Sequence, residues 1–320
     1  MTGRIPKIVV IGGTYVDMAV RCEQMPQPGE TVIGSGFSCT PMGPGVNQAV
    51  QAALCGCDVH LISKAGNDLF AQMIKQTLSQ FKINTDLVGS AEAKSTGIIV
   101  TIVNSKGENR SCISPGANRA LTAEDITSEK AENIIASADL CLIHGELPRQ
   151  AVSAAINMAN LHKTTVILDP AGALEQPSPQ EADLPVAYFS ANILIPDINK
   201  ASEIADEPVA SIHTAKLLGS DFIARGVDCA VIRIPRRGCI IVDRNGTEQI
   251  PAFETDLVDE TAARDAFAGA LAASCAVGDN IREAARFACA AQALACSKFG
   301  TIDALPKKEE IIQLLQGSAG

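Results

Sequence analysis

The sequence predicts a three-layer α/β/α fold with a mainly parallel central sheet and a small β-lid. Three observations lead there. Short apolar runs, Ile8–Ile11, Val59–Ile62, Leu140–Ile143, Val166–Leu168, Ile193–Ile195 and Ala230–Ile234, alternate with amphipathic or Ala-rich helical patterns. Runs this apolar are strands buried on both faces, as happens when helices cover a parallel sheet from both sides. Two stretches, about 15–40 and 96–114, break the rhythm with turns and hairpin patterns. Finally, 320 residues at 47% hydrophobic, with no Trp and two Tyr, suit one large domain (1–320) with an aliphatic core.

The elements follow in order. The first strand, Ile8–Ile11, runs into Gly12-Gly13; its apolar run is too short for a signal peptide. Residues 15–40 carry Pro26, Pro28, Gly29, Gly34 and Gly36 between short strand-like pieces. Helical patterns start at Asn67, Thr122, Pro148 and Ser211, and Thr122-Ala-Glu-Asp reads as an N-cap with acids in the first turn. A hairpin, Thr96–Val103 with Arg110–Ser114, turns around Asn104–Asn109. Strands inserted between βα units favour a separate sheet, expected as a lid over the C-terminal edge of the main one, where open α/β sheets bind ligands. Gly238–Val242 and Thr247–Ile250 flank the hairpin signal Asn245-Gly246. Two helices of small residues, about 261–277 and 280–298, complete the pattern.

Several classes are excluded. A net charge of −10 argues against sequence-independent nucleic-acid binding. Eleven cysteines form no C-x-x-C pair, and the histidines at 60, 144, 162 and 213 have no metal-ligand spacing. Cysteines within apolar segments act as small hydrophobes and fit a reducing cytoplasm. No apolar run reaches the ~18 residues of a membrane helix. The P-loop pattern G-x-x-x-x-G-K-[ST] is absent, and Gly12-Gly13 lacks the third glycine of a dinucleotide fingerprint.

The chemistry concentrates in Asp259-Glu260-Thr261-Ala262-Ala263-Arg264-Asp265-Ala266-Phe267. An acidic turn enters an Ala-rich helix with Asp265 in its first turn. The free N–H groups and dipole of such a terminus attract an anion, and a carboxylate beside it can take a proton from a hydroxyl attacking phosphate. Met42-Gly43-Pro44-Gly45-Val46-Asn47 is a Gly-rich turn into a helix, where Gly43 and Gly45 admit a ligand and Asn47 offers donor and acceptor. Asp17 and Glu146 each follow a strand, where a carboxylate accepts hydroxyls or caps a turn. Tyr15 either stacks on a sugar or base, or fills the lid.

The segment 259–267 resembles the D-T-x-G-A-G-D-x-F signature of the ribokinase-like (PfkB) sugar kinases. Met42–Ala49 is similar to that family's G-G-K-G-A-N-Q-A, and Thr14–Asp17 to its N-x-D. Further matches are Pro28-Gly29-Glu30-Thr31, Ser95-Thr96-Gly97, Pro115-Gly116-Ala117-Asn118 and Asp169-Pro170-Ala171. The resemblance spans nearly the whole chain in the family's order. It implies ATP- and Mg²⁺-dependent phosphorylation of a sugar or sugar-like hydroxyl. Asp265 would be the base and the turn of Ala262, Ala263, Arg264 and Asp265 the anion hole. Asp17, Tyr15, Gly43, Gly45, Asn47 and Glu146 would form the substrate side. Asp197, Arg233, Arg236, Arg237, Gly238 and Cys289 would form the nucleotide side. Asp259, Thr261 and Gly300 fall where relatives bind a monovalent cation such as K⁺. A homodimer through the lid is implied as well.

The pattern is broken at defined points. Arg264 stands at the glycine before the aspartate, Pro44 at the lysine of the Gly-rich turn and Tyr15 at the polar residue of N-x-D. Lys200 replaces the glutamate of P-N-x-x-E, and the nucleotide loop T-L-G-x-x-G becomes Arg233-Ile234-Pro235-Arg236-Arg237-Gly238. Arg264 either blocks the phosphoryl group or supplies charge to it. The alternatives are therefore a non-catalytic sugar- or nucleotide-binding protein on this scaffold and a nucleoside kinase.

Overall fold

The computed structural model describes residues 4–170, 184–205 and 212–317. The chain opens with β1 (Lys7–Ile11), β2 (Tyr15–Cys22), β3 (Gly34–Met42), α1 (Pro44–Leu54), β4 (Asp58–Gly66), α2 (Leu69–Gln80) and β5 (Asn84–Ala91). There follow β6 (Gly97–Val103), β7 (Asn109–Ser114), α3 (Ala123–Thr127), α4 (Glu129–Ser137), β8 (Leu140–His144), α5 (Arg149–Leu161) and β9 (Thr165–Asp169). Next come β10 (Ile193–Leu194), α6 (Ile198–Ala205), α7 (Ile212–Ala224), β11 (Cys229–Ile234), β12 (Gly238–Asp243) and β13 (Gly246–Ile250). Three helices close the chain: α8 (Ala263–Ala276), α9 (Ile281–Cys296) and α10 (Lys308–Gly317).

The main sheet has the order β13-β12-β11-β10-β9-β8-β1-β4-β5, parallel from β11 to β5 and antiparallel at β12 and β13. From β1 the chain lays β4 and β5 on one side, then β8 to β11 on the other. Winding therefore reverses between β1 and β8, and the carboxyl ends of these two strands are where open α/β sheets form a ligand crevice. The loops that follow these strands, Gly12–Thr14 and Gly145–Glu146, lie there.

Alternation within strands explains the three layers. Ile8 and Val10 join one core cluster with residues of α1, α8 and α9, while Val9 and Ile11 join the other with residues of α3, α4, α5 and α7. All four are fully buried. The Ala-rich character of α8 has a positional consequence. A Cβ on Gly269 would stand 2.7 Å from the Gln48 carbonyl oxygen, so only glycine lets α8 approach α1 this closely. One turn earlier on α8, Asp265 is thereby brought against Asn47 and Gln48.

The rhythm-breaking stretches supply a second sheet, β3-β2-β6-β7. Residues 15–40 hold two long strands, not short pieces, because pairing across β2–β3 and β2–β6 sustains them despite their turn residues. The helix expected from Thr122 splits at Ser128, whose extended backbone ends α3 while its side chain caps α4 by accepting from Ala131 N–H. Edge strand β5 escaped notice because its sequence, NTDLVGSA, carries no apolar run. Ala171 and Ser211 lie outside the described residues.

Candidate active site

Helix α8 begins after Ala262, which has helical backbone and makes no side-chain cap. Ala263 N–H is committed to the Glu260 carbonyl at 3.2 Å, and Ala266 N–H returns to Ala262 at 2.9 Å. The first-turn donors at Arg264 and Asp265 have no carbonyl one turn back within the helix, so the anion cradle narrows to them. Arg264 itself is unstrained: among described non-glycine residues, positive φ occurs at Lys82, Lys163 and Arg236. Its side chain, 64% exposed, extends to Asp197 Oδ2 at 3.3 Å.

The Asp265 carboxylate is gripped by two amides. Asn47 Nδ2 donates to Oδ2 at 2.8 Å and Gln48 Nε2 to Oδ1 at 3.1 Å. Both amides are fully buried on the first turns of α1, whereas Asp265 keeps partial exposure. Burial pushes its carboxyl above the ordinary aspartate range, against the opposing pull of His144 and the two amide donors. That is the direction suited to a general base, whose proton affinity must approach the working pH.

The residues expected on the substrate side gather at the β1/β8 switch point. Glu146 Oε2 accepts from the Tyr15 hydroxyl at 3.4 Å, and its Oε1 lies 3.7 Å from His144 Nδ1. Desolvation raises the Glu146 carboxyl, with His144 lowering it and Asp265 raising it further. Asp17 accepts from Thr101 Oγ1 at 2.9 Å, and burial raises it too. Gly43 caps α1 at φ 112, a backbone reserved in practice for glycine. Gly45 serves the scaffold: its N–H donates to the Gly13 carbonyl at 2.9 Å, and a Cβ there would run into Gly12. Tyr15 is 2% exposed, so its ring offers no free face for stacking.

Most residues expected on the nucleotide side border an open cleft of about 840 Å³ beyond β10 and β11, lined among others by Asp197, Arg236, Gly238, Phe253, Arg264 and Cys289. Its charges are largely cross-paired. Arg236, at the tip of the β11–β12 loop, faces Glu260 at 3.9 Å, while Lys200, outside the cleft lining, binds Glu203 at 2.7 Å. Arg233 reaches the cleft wall but is 4% exposed, with its guanidinium on both oxygens of the buried Asp169 at 3.2 and 3.1 Å. Its charge is thus spent inside the fold, and its NH1 donates to the Arg264 carbonyl at 3.4 Å, bracing the start of α8. Arg237 is exposed on the same loop, outside the cleft lining.

Asp259, Thr261 and Gly300 are brought together. Asp259 Oδ1 accepts from Thr261 N–H at 2.9 Å and from its hydroxyl, while Oδ2 accepts from Gly300 N–H at 3.1 Å. Among the described residues no cluster of three or more His, Cys, Asp or Glu is arranged to hold a metal ion. Nor is any helix there long and apolar enough to cross a membrane.

Two site residues went unread in the sequence. Gln48 had a signal, since Asn47, Gln48 and Gln51 are the polar residues of a helix otherwise built of small apolar ones. His144 had none, because it ends an apolar run and its neighbours arrive from β9 and α8.

A parallel sheet with a switch-point crevice, a carboxylate at a helix N-terminus and a charged cleft beside it define a small-molecule phosphotransferase architecture. The chain belongs to the pfkB family of carbohydrate kinases, whose pattern matches residues 5–308. It is 31% identical over 316 residues to ribokinase of Bacillus subtilis, covering 96% of this chain and 99% of that one. With ribokinase of Staphylococcus aureus it shares 29% over 311 residues, at 96% and 99% coverage. The fold superposes on Arabidopsis thaliana ribokinase complexed with ribose and ATP at a TM-score of 0.90, with 24% identity and coverage of 98% and 99%. The chain is thus an enzyme of the carbohydrate-kinase class.

Proposed function

We propose that the protein transfers the γ-phosphoryl group of ATP to a hydroxyl of a sugar or sugar-like polyol, with Asp265 as general base. The observation that carries this is the placement of Asp265. Buried amides hold its carboxyl at the start of α8, between the Glu146 crevice and the Arg264 cleft. An acceptor hydroxyl there would give its proton to Asp265 as its oxygen attacks phosphorus. The first-turn N–H groups of Arg264 and Asp265, with the Arg264 guanidinium, face the growing charge on the phosphoryl oxygens.

The residues fit the nucleotide and its metal. The cleft has room for a nucleotide, and Arg236 and Arg264 are its exposed cations. Asp197 is the carboxylate that would hold Mg²⁺, an ion commonly bound by one or two protein carboxylates together with phosphate oxygens. Bound there, Mg²⁺ would neutralise phosphate charge. Arg264 would exchange Asp197 for a phosphate. Asp259, Thr261 and Gly300 would bind K⁺, a role read as a higher rate in K⁺ than in tetramethylammonium.

Two wider readings belong here. Eleven free cysteines, most of them buried, support a reducing cytoplasm. The small sheet exposes edge strand β7 together with Phe37, Val100 and Ile113, which supports a homodimer through that sheet, measurable by sedimentation. The function is tested by incubating the protein with Mg²⁺-ATP and a panel of sugars, polyols and nucleosides, with mass spectrometry for the phosphorylated acceptor. Phosphorylation confined to sugars or polyols is expected. Phosphorylation confined to nucleosides, or none across the panel from folded protein, would overturn the reading.

A further inference from the structure

Tyr15 is one of two tyrosines in the chain and sits at the switch point, with its ring buried. Three bare backbones wall that ring. A Cβ on Gly13 would stand 3.0 Å from ring Cε2, one on Gly43 2.7 Å from Cδ2, and one on Gly97 2.7 Å from Cδ1. Carbon atoms in van der Waals contact sit about 3.5–4.0 Å apart, so the glycines form a slot fitted to the ring. Its hydroxyl closes the slot on Glu146 Oε2.

Buried acceptor atoms without a hydrogen-bond partner include Glu146 Oε1, beside this plug, and Asn47 Oδ1, beside Asp265. Each belongs to a side chain whose other end is engaged, Glu146 by Tyr15 and Asn47 by Asp265. Buried acceptors of this kind are ordinarily satisfied, and ligand hydroxyls are the donors that fit beside a carboxylate base. Donor-rich chemistry is therefore wanted in a space that a phenol ring has narrowed.

We propose that Tyr15 determines acceptor specificity: its ring takes up room in the acceptor subsite, so the preferred acceptor is a sugar or polyol more compact than a pentofuranose. Such an acceptor donates hydroxyls to Glu146 Oε1 and Asn47 Oδ1 while presenting another to Asp265. This rests on the reading that the acceptor binds beside Asp265.

Calorimetric titration without nucleotide tests it, using D-ribose and the four-carbon polyol erythritol on the unmodified protein, Tyr15→Asn and Tyr15→Phe. Tyr15→Asn is expected to bind ribose at least about tenfold more tightly than the unmodified protein, within the range by which pocket shape discriminates ligands. Tyr15→Phe, which keeps the ring, should gain nothing, and erythritol should not share the gain. Should Tyr15→Asn fail to fold, Tyr15→Leu carries the same expectation at several-fold. Equal ribose affinity in the unmodified and opened proteins overturns the proposal, as does a gain in Tyr15→Phe matching that of Tyr15→Asn. If Tyr15→Asn binds ribose tightly but does not phosphorylate it, Asp265 chemistry fails while the role of Tyr15 stands.

Discussion

The two sides of the cleft are built on opposite principles. On the acceptor side, polar groups are buried and preorganised: Asn47 and Gln48 hold Asp265, and Glu146 is boxed by Tyr15 and His144. On the nucleotide side, most charges are exposed and paired with one another, as in Arg264–Asp197 and Arg236–Glu260. Buried groups cannot rearrange cheaply, so the acceptor side has its geometry before any ligand arrives. Exposed pairs are worth about 0–1 kcal/mol and can exchange partners, so a polyphosphate can compete for the same arginines. Where the chemistry demands fixed atoms the fold spends burial, and where it demands charge it relies on replaceable pairs.

The contrast breaks most readily at Asp265. Asp265→Asn is expected to lower kcat by about 10²–10⁴-fold while leaving ATP affinity within about twofold, measured by steady-state kinetics and nucleotide titration. Equal losses in kcat and ATP affinity would erase the division between the two sides. Next in size is Arg233, the buried exception on the nucleotide side. Arg233→Ala strands Asp169 without its cation and should cost about 3–5 kcal/mol of stability in denaturant unfolding. Arg264→Ala, removing an exposed pair, should change stability by less than about 1 kcal/mol. It should instead raise the KM for ATP by about tenfold, an effect shrinking as salt is added. Higher activity in Arg264→Gly would show that the side chain obstructs the phosphoryl group.

The smallest effect sharpens the acceptor side. A carboxyl raised in the folded state contributes most to stability while protonated, and that contribution is lost as pH rises through its folded pKa. Asp265→Asn should therefore melt above the unmodified protein at pH 7, with the difference fading as pH falls below the ordinary aspartate range. Constant differences across pH would mean that burial does not penalise the Asp265 charge.

Much of the fold was legible in the residues. Buried parallel strands need unbroken apolar runs, and those runs marked β1, β4, β8, β9, β10 and β11. Edge strand β5 was not legible, because one side lacks a neighbour and no apolar run is required. In the site, Asp265 and Asn47 were legible as residue types in motifs, but their mutual hydrogen bond joins positions 218 apart in the chain. A separation of 64 residues likewise hid the role of Arg233, read from the sequence as a phosphate ligand but held by Asp169 from β9.

The sequence by itself determined the layer order, the separate small sheet and the family, because periodicity and ordered motifs are local properties of the chain. Tertiary structure alone decided that Tyr15 is a buried plug, that Arg233 is neutralised and that Arg264 stands unstrained in the cleft. Each of those outcomes depends on which backbone or charge lies a few ångströms away, and folding brings those neighbours from distant parts of the chain.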